Sequence, residues 1–363
     1  MLATEMYKAR FVLASLASFV LLAVGYFLLI DRLAIVDTNL GVSYRQFLLQ
    51  ASDDIPKRII VESGSNAIHS IDAQAIEQHF GRLTIIVSDN AGYPLRHKIE
   101  RLANHLKADD TLILPLEWLQ YRADDKLPAD YVSSVLDERG SNAFYYRELS
   151  WPERIRFVYQ SVPFKLGLQA AFRLNALQSH NPHIAAARQD SLSRFEGQIR
   201  QSARGSQLIE KGAELNNLAR GLKCDYYLFG LWEFPPISAT FIENLQRLAE
   251  VRDASGAKIF FAWPAVTARD DNECYQIYEQ QIRDYASSIQ SLVEAQGFSF
   301  LGTPEQSRFD HQCMLDTYYH VRATCAAIRT RQLISALQTQ GLESGLRLDQ
   351  RSLQESFLSH LRQ

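Results

Sequence analysis

Residues 11–30 form the longest stretch of the chain without a charged side chain, and they limit what the chain can fold into. These 20 residues read FVLASLASFVLLAVGYFLLI. A helix needs about 20 apolar residues to cross the roughly 30 Å of hydrocarbon in a bilayer. Lys8 and Arg10 precede the stretch, and positive charge is retained on the cytoplasmic side of a membrane. The sequence therefore predicts one transmembrane anchor at 11–30, with residues 1–10 in the cytoplasm.

A cleaved signal peptide is the alternative interpretation of this segment. The apolar part of a signal peptide usually runs about 7–15 residues and ends at a cleavage site of small residues. Residues 26–30 read YFLLI, which is not such a site. We therefore predict a linker at 31–55 and a domain at 56–363 outside the cytoplasm. The compartment would be the periplasm of a bacterium, with the anchor in the inner membrane.

The charge balance argues against a nucleic-acid partner. The 363 residues include 38 Lys and Arg against 41 Asp and Glu, which gives a formal net charge of −3. Domains that bind nucleic acid usually carry a clear excess of positive charge along one face. The sequence also lacks the Cys and His spacing that is typical of a zinc site. We expect neither a metal nor a cofactor.

Four cysteines follow the apolar segment, and an even number in an oxidising compartment permits two disulfides. They are Cys224, Cys274, Cys313 and Cys325. Cys274 and Cys313 stand in polar, loop-like sequence, so we predict a disulfide that closes a loop of about 40 residues between them. Cys325 shares an apolar helical face with Val321 and Ile328, which is typical of a buried free thiol.

After residue 56, short apolar runs alternate with amphipathic runs, a pattern that predicts strands alternating with helices. The predicted strands are 58–61, 83–87, 111–116, 225–232, 258–263 and 298–301, and the last predicted helix is 320–337. Such alternation is typical of an α/β domain whose parallel sheet is covered by helices on both faces. Residues 120–222 interrupt the pattern with helical and polar stretches. We predict that they form a helical insertion beside the carboxyl edge of the sheet.

Ligands bind outside the carboxyl ends of the strands in such a sheet. The segments predicted near that edge are 64–66, 90–93, 117–118 and 316–320. They contain Ser65, Asp316 and His320. Acyl transfer needs a serine, a histidine that takes its proton and a carboxylate that orients the imidazole. Glu117 and Glu233 also end strands, and each either lines the site or serves in capping and packing.

Each of these site residues also has a simple structural interpretation. Ser65 can cap a helix, and Asn90 can form an Asx turn. Asp316 can be a capping acid beside a surface imidazole at His320. His69 follows Ser65 too closely in sequence to act easily as its base. The combination and chain order of the residues, rather than any single one, therefore favour a catalytic site.

The serine turn and the late acid–base segment resemble the first and last blocks of SGNH/GDSL hydrolases. The matching sequences are ESGSN at 62–66, NAG at 90–92, LPLE at 114–117 and DTYYH at 316–320. They are most similar to membrane-anchored SGNH-like proteins that take part in the O-acetylation of bacterial surface polysaccharides. The resemblance covers residues 55–120 and 225–340. It implies a flavodoxin-like, three-layer α/β fold.

The resemblance also implies a role for each site residue. Ser65 would be the nucleophile, His320 the general base and Asp316 the residue that orients the imidazole. The amides of Ser65 and Gly92, together with Asn90, would hold the oxyanion. Two features differ from the superfamily pattern. The chain has no GxND block, and its acid and base are spaced as DxxxH rather than DxxH.

The function that the resemblance implies is a serine-dependent O-acyltransferase or esterase outside the cytoplasm. Its substrate would be a bacterial surface polysaccharide or exopolysaccharide, and acetyl would be the acyl group. The implied partner is a membrane-bound O-acyltransferase that delivers the acyl group across the membrane. The alternative is a non-catalytic, membrane-tethered subunit of a polysaccharide synthesis or export complex that keeps the same fold.

Overall fold

Five short parallel strands form the central sheet of the protein. The computed structural model describes residues 2–30, 40–122, 149–161, 203–211, 236–267, 277–317, 319–344 and 353. The strands of the sheet are β1 Ile59–Val61, β2 Thr84–Ile86, β3 Thr111–Leu114, β4 Lys258–Ala262 and β6 Ser299–Leu301. A second, two-stranded sheet pairs β5 Val266–Thr267 with β7 Arg308–Phe309.

The order of the strands in the main sheet is β2-β1-β3-β4-β6. Ile60 in β1 pairs with Ile85 on one side and with Leu112 on the other, and both pairings are parallel. Counting only the strands of this sheet, the order is 2-1-3-4-5, which is one of the two common orders of doubly wound α/β domains. The crevice at the carboxyl end of β1, where the order reverses, is the usual ligand position in such a sheet.

Helices follow most of the strands. They are α1 Leu2–Ile30, α2 Leu40–Ala51, α3 Ser65–Ser70, α4 Ala73–Phe80, α5 Leu95–Ala103, α6 Trp118–Arg122, α7 Trp151–Ser161, α8 Ala239–Ser255, α9 Glu279–Ala295 and α10 Ala323–Thr339. Asp72 caps α4 by accepting a hydrogen bond from the Ala75 amide. Gly256 ends α8 in the left-handed conformation, with φ at 73°.

The sheet has a hydrophobic core on each of its two faces, because successive residues of a strand point to opposite sides. Ile60 belongs to the core that includes Leu248 of α8. Ile59 belongs to the other core, with Ile76 of α4 and Leu337 of α10. Helices therefore cover both faces of the sheet. The predicted α/β class, with a parallel sheet between layers of helices, is confirmed for the described residues.

Five of the six predicted strands lie within one or two residues of the observed ones. The sixth, predicted at 225–232, lies outside the described residues. Of the predicted insertion at 120–222, the structure describes 120–122, 149–161 and 203–211. The segment 203–211 runs along the domain from β2 towards α10. The Gln207 amide donates to the Ile68 carbonyl in α3, which places this segment beside the carboxyl end of β1.

The folded domain begins earlier than the predicted boundary at residue 56, so the linker assigned to 31–55 is corrected. Helix α2 lies within that range, and Tyr44, Leu48 and Leu49 are buried in one of the two cores. The helix packs against β2. One amphipathic helix separated from the strand pattern gives no indication in the sequence of the surface that it will cover.

Helix α1 covers the segment predicted to be the anchor. Of its side chains the structure describes those at 10–22, 24 and 25, and all of them are exposed. Phe11, Phe19 and Leu22 are 67%, 72% and 74% exposed. Across the part of the chain that the structure describes, no helix has the length and apolar character needed to cross a membrane. The topology predicted from residues 1–30 stays a prediction.

A disulfide joins Cys313 to Cys325, so the predicted bond between Cys274 and Cys313 is wrong. The prediction that Cys325 is a free thiol is wrong for the same reason. The two Cα atoms are 5.6 Å apart, which is a usual distance for a disulfide. Cys224 and Cys274 lie outside the described residues.

The bond forms because the segment between the two cysteines folds back on itself. Met314 and Val321 make an antiparallel bridge, and the Arg322 amide donates to the Cys313 carbonyl at 2.7 Å. The first turn of α10 then lies beside the turn that holds Cys313. The sequence around each cysteine gave no indication of this reversal, because the hydrogen bonds that form the reversal are between backbone groups.

We expect the double variant Cys313→Ser, Cys325→Ser to unfold more easily than the wild type. The bond links residues 12 apart, for which the chain-entropy estimate is about 3 kcal/mol. Urea unfolding under oxidising conditions measures the difference. Adding a reductant should destabilise the wild type and leave the double variant nearly unchanged. A double variant with the wild-type midpoint would contradict a stabilising bond.

Burial of His97 predicts a loss of stability in mild acid. The residue is 5% exposed, and burial lowers the pKa of its imidazole to about 3. Between pH 6.5 and about 3 the unfolded chain therefore binds a proton that the folded chain does not. The free energy of unfolding should fall as the pH falls through this window, by up to about 1.4 kcal/mol per pH unit for one proton.

Urea unfolding at about pH 7 and about pH 5 tests this expectation. The variant His97→Gln should show a smaller loss of stability between the two values than the wild type. The matched control is His79→Gln, because His79 is exposed on α4 and its replacement should leave the wild-type pH dependence in place. Equal pH dependence in all three proteins would contradict the assignment to His97.

Candidate active site

Ser65, His320 and Asp316 lie together at the carboxyl end of β1. The Ser65 Oγ is 2.8 Å from His320 Nε2, although the two residues are 255 positions apart in the chain. The Asp316 Oδ1 is 2.8 Å from His320 Nδ1. Ser65 is the first residue of α3, directly after β1, and the other two lie just before α10. The structure thus brings together the three residues predicted to carry the chemistry.

The partners of the imidazole fix the direction of these hydrogen bonds. A neutral imidazole has one nitrogen that donates and one that accepts. The carboxylate of Asp316 can only accept, so His320 Nδ1 carries the hydrogen. His320 Nε2 then accepts from the Ser65 hydroxyl. This is the arrangement in which a histidine can take the proton of a serine that attacks a carbonyl carbon.

Close packing at Gly64 explains why the serine turn needs a glycine there. A Cβ at this position would lie 2.6 Å from the Ala91 Cα and 2.4 Å from the Glu117 Oε1. The chain can therefore pass from β1 into α3 at this point only without a side chain. The contact also brings the loop after β2 directly against the turn that carries Ser65.

The carboxylate of Glu117 fixes the conformation of the serine turn, and its side chain is fully buried. Its Oε2 accepts from the Ser63 hydroxyl at 2.8 Å and from the Gly64 amide at 3.0 Å. Its Oε1 accepts from the Asn66 amide at 3.1 Å. The carboxylate therefore binds the residues on both sides of Ser65. The sequence allowed Glu117 either to line the site or to serve in capping and packing. Its hydrogen bonds show the second role, because it caps the serine turn.

Asn66 connects the serine turn to the histidine segment, and sequence reasoning did not assign it a role. Its Nδ2 donates to the Ala265 carbonyl and to the Tyr319 carbonyl, both at 3.1 Å. The Tyr319 hydroxyl in turn accepts from the Trp118 amide at 3.1 Å. These bonds fix the residue before His320 relative to the residue after Ser65. The signal available in the sequence was its place in the GSN turn.

The predicted oxyanion donors are not all directed at Ser65. The Gly92 amide donates to Asn90 Oδ1 at 2.7 Å, which makes an Asx turn within the loop. The Gly92 amide is therefore engaged locally, and its predicted role is corrected. The Ser65 amide lies in the first turn of α3, where amides have no acceptor within the helix. Its role as an oxyanion donor stays a prediction.

A buried group of charges lies behind the serine turn. Lys98 contacts Asp89, Glu62 and the Ser63 carbonyl, and Arg101 contacts Glu62. All four charged side chains are at most 1% exposed. Burial raises the pKa of Glu62 to about 7, against the opposing effect of Arg101 and Lys98. The group ties α5 to the ends of β1 and β2, and so fixes the chain that leads to Ser65.

His69 packs directly against the catalytic candidate His320, with the ring centroids 4.2 Å apart. Its Nδ1 is 2.9 Å from the Gln207 carbonyl, which can only accept, so this nitrogen carries the hydrogen. Burial, together with the nearby His320, lowers the pKa of His69 to about 3. His69 therefore remains neutral and adds no positive charge beside His320. Gln207 belongs to the described segment 203–211 of the predicted insertion, so this contact places that segment next to the site.

Neither a protein-family model nor a curated protein matches this chain. The resemblance to SGNH/GDSL hydrolases therefore stays a prediction from the motifs. Among the described residues, no group of three or more His, Cys, Asp and Glu side chains could hold a metal ion. What the site offers is a hydroxyl, an imidazole and a carboxylate in one hydrogen-bonded line.

Proposed function

We propose that this chain is a serine-dependent O-acyltransferase or esterase of the SGNH type, with Ser65 as its nucleophile. The observation that carries the proposal is the line of two 2.8 Å hydrogen bonds from Ser65 through His320 to Asp316. A capping serine or a surface imidazole has no need of such an arrangement. Nucleophile, base and orienting carboxylate are the parts that activate a hydroxyl at neutral pH.

The first half of the reaction would move an acyl group from its donor to the protein. The Ser65 Oγ attacks the acyl carbonyl carbon while His320 Nε2 takes the hydroxyl proton. The carbonyl oxygen becomes an oxyanion beside the Ser65 amide. When the intermediate collapses, the donor's alkoxide leaves with the proton from His320, and the acyl group remains on Ser65 as an ester.

The second half would pass the acyl group to an acceptor. His320 takes a proton from the acceptor hydroxyl, whose oxygen attacks the ester carbon on Ser65. The bond to the Ser65 Oγ breaks, and His320 returns the proton to the serine. A sugar hydroxyl as acceptor makes the protein a transferase, and water makes it an esterase. Asp316 keeps the imidazole oriented and stabilises its cation in both halves.

The substrate and the partner follow from the motif resemblance. We propose that the acceptor is a bacterial surface polysaccharide or exopolysaccharide, and that acetyl is the acyl group. The donor side would be a membrane-bound O-acyltransferase that brings the acyl group across the membrane. Support for a place at the membrane comes from the 20 uncharged residues of 11–30.

A fluorophosphonate that forms a stable adduct with activated serines tests the proposed nucleophile. We expect one adduct, and peptide mapping should place it on Ser65. Heat-denatured protein is the control and should not react, because a serine hydroxyl is a weak nucleophile without its base. A folded protein that forms no adduct on Ser65 would contradict the proposed enzymatic function. The non-catalytic subunit would then be the better interpretation.

The proposed topology has its own test. A reporter that is active only outside the cytoplasm, fused to the carboxyl terminus, should be active in bacterial cells. The positive flank at Lys8 and Arg10 should set this orientation. Replacing both residues with glutamate should lower the fraction of chains inserted in that orientation. A fusion active only with a cytoplasmic reporter would contradict the proposed location.

A further inference from the structure

The helix α3 has one open face, and only Ser65 and His69 lie on it. Both side chains are partly exposed. The other four residues of the helix are buried, and they are Asn66, Ala67, Ile68 and Ser70. Residues four apart on a helix are neighbours on one face. A molecule that reacts with Ser65 therefore approaches His69 as well.

The imidazole of His69 is held on two sides. Its Nδ1 lies 2.9 Å from the Gln207 carbonyl, which can only accept, so Nδ1 carries the hydrogen. The Gln207 amide in turn donates to the Ile68 carbonyl at 2.8 Å. On the other side, the ring packs against the ring of His320, with the centroids 4.2 Å apart. These contacts fix both the position and the tautomer of the His69 ring.

The second nitrogen of His69, Nε2, is an acceptor without a donor. Across the residues that the structure describes, no N–H or O–H group donates to it. In the tautomer that Gln207 selects, Nε2 has a lone pair and no hydrogen. Burial, together with the nearby His320, lowers the pKa of His69 to about 3, so the ring does not take a proton at neutral pH. His69 Nε2 can therefore accept a hydrogen bond from a ligand, but it does not serve as a second base.

The two imidazoles of the site have different uses for Nε2. His320 Nε2 lies 2.8 Å from the Ser65 Oγ, and in the second half of the proposed reaction it takes the proton of the acceptor hydroxyl. His69 Nε2 is left for a hydroxyl that does not react. A sugar ring has hydroxyls on neighbouring carbons and can supply both groups. A water molecule has one oxygen and supplies only the reacting one.

We propose that His69 is a specificity-determining residue whose Nε2 accepts a hydrogen bond from a second hydroxyl of the acyl acceptor. The inference rests on the function proposed for Ser65 and deepens it, because it favours a polyhydroxyl acceptor over water. The reacting hydroxyl gives its proton to His320 while its oxygen forms the new ester bond. The bond to the Ser65 Oγ breaks, and His320 returns the proton to the serine. His69 holds the second hydroxyl and exchanges no proton.

Two alcohols that differ by one hydroxyl test the proposal on the full-length protein. They are cyclohexanol and the trans cyclohexanediol whose hydroxyls are on neighbouring carbons. The acetyl group comes from p-nitrophenyl acetate, and gas chromatography measures the acetyl ester of each alcohol. We expect the wild type to acetylate the diol roughly fivefold faster per hydroxyl, which is the effect of one additional hydrogen bond. Equal rates per hydroxyl with the two alcohols would overturn the proposal.

The variant His69→Phe assigns the preference to a residue. Phenylalanine keeps an aromatic ring against His320 and removes the acceptor nitrogen, so the preference for the diol should disappear. The matched control is His79→Phe, because His79 is exposed on α4 and its replacement should leave the preference unchanged. A folded His69→Phe protein with the wild-type preference would overturn the proposal. If circular dichroism shows that this variant does not fold, the comparison of the two alcohols with the wild type decides the question.

Labelling with the fluorophosphonate separates this inference from the proposed function. The probe needs no acceptor, so His69→Phe should be labelled at Ser65 at the wild-type rate. A variant that is labelled far more slowly and keeps its preference for the diol would show that His69 positions His320 instead, and would overturn the proposal. A folded wild type that forms no adduct on Ser65 and acetylates neither alcohol would contradict the proposed function and this inference together.

Discussion

Replacing Ser65 or His320 with alanine is expected to reduce hydrolysis of p-nitrophenyl acetate by roughly 10³-fold or more. Ser65→Ala removes the oxygen that forms the acyl ester. His320→Ala removes the acceptor of its proton, which lies 2.8 Å from the serine oxygen in the structure. Each change prevents the same step, which is the attack of the Ser65 oxygen on the acyl carbonyl carbon. That attack needs both the serine oxygen and the imidazole that takes its proton.

The double variant distinguishes this mechanism from two independent effects. If Ser65 and His320 act as one unit, Ser65→Ala, His320→Ala should be no slower than either single variant. Asp316→Asn should cause a smaller loss, since Asp316 orients the imidazole and does not touch the substrate. Its side chain is also 47% exposed, and water can solvate the imidazolium in its place.

Exposed residues of the same types provide the controls for this series. Ser335→Ala and His79→Gln alter side chains on the surface of α10 and α4, and both should keep the wild-type rate. Circular dichroism should show the same fold in every variant. A Ser65→Ala protein that retains most of its esterase activity would exclude Ser65 as the nucleophile.

The fold could be predicted where a local pattern of apolar residues directly indicates which residues are buried. Ile59, Ile60 and Val61 form an apolar run that is buried on both sides, and this run gave the position of β1 within one residue. Helix α2 could not be placed in the same way. Its apolar residues Tyr44 and Leu48 show that one face is buried, but not which surface they cover.

The features that could not be predicted from the sequence depend on how the backbone folds within short segments, which residue types alone do not determine. The bond between Cys313 and Cys325 depends on a backbone reversal at Met314 and Val321. The hydrogen bonds that reverse the chain there involve no distinctive side chain. The engagement of the Gly92 amide likewise depends on the conformation of a single loop. For the cysteines, the residue types were visible in the sequence and the partners were not, whereas the Asx turn at Asn90 was one of the two interpretations that the sequence allowed.

Ser65, Asp316 and His320 could be predicted because their chemistry restricts which residue types can serve. A nucleophile, a base and an orienting acid allow few substitutions, so the types themselves are a signal. Glu117 and Asn66 act by holding backbone groups in place. Many side chains can do that in many folds, and their role became visible only with the hydrogen bonds around the serine turn.

We expect Glu117→Gln to lower the rate of acylation of Ser65 by roughly 10²-fold, because a misplacement of about 1 Å in a catalytic group has an effect of that size. The buried carboxylate accepts three hydrogen bonds from Ser63, Gly64 and Asn66. Glutamine has one acceptor oxygen, and its NH₂ group would face a donor. The turn can relieve that contact only by moving the chain on one side of Ser65.

Stability and reactivity separate two roles of Glu117. A buried donor left without its acceptor lowers the free energy of unfolding by about 1–3 kcal/mol, whether or not Ser65 reacts. Urea unfolding measures this loss, and the rate of fluorophosphonate labelling measures the reactivity of Ser65 under conditions where the variant is folded. Glu250→Gln is the control, because the Glu250 side chain is 67% exposed and should change stability by no more than about 0.5 kcal/mol.

Two outcomes of this experiment have different meanings for the serine turn. A folded Glu117→Gln protein that is labelled slowly at Ser65 shows that the carboxylate positions the nucleophile. A destabilised protein that is labelled at the wild-type rate shows that Glu117 serves the fold alone, and the expectation is then wrong. We expect the first outcome, because two of the three donors that Glu117 binds are the backbone amides on either side of Ser65. A change in their partner must alter the path of the chain through the serine itself.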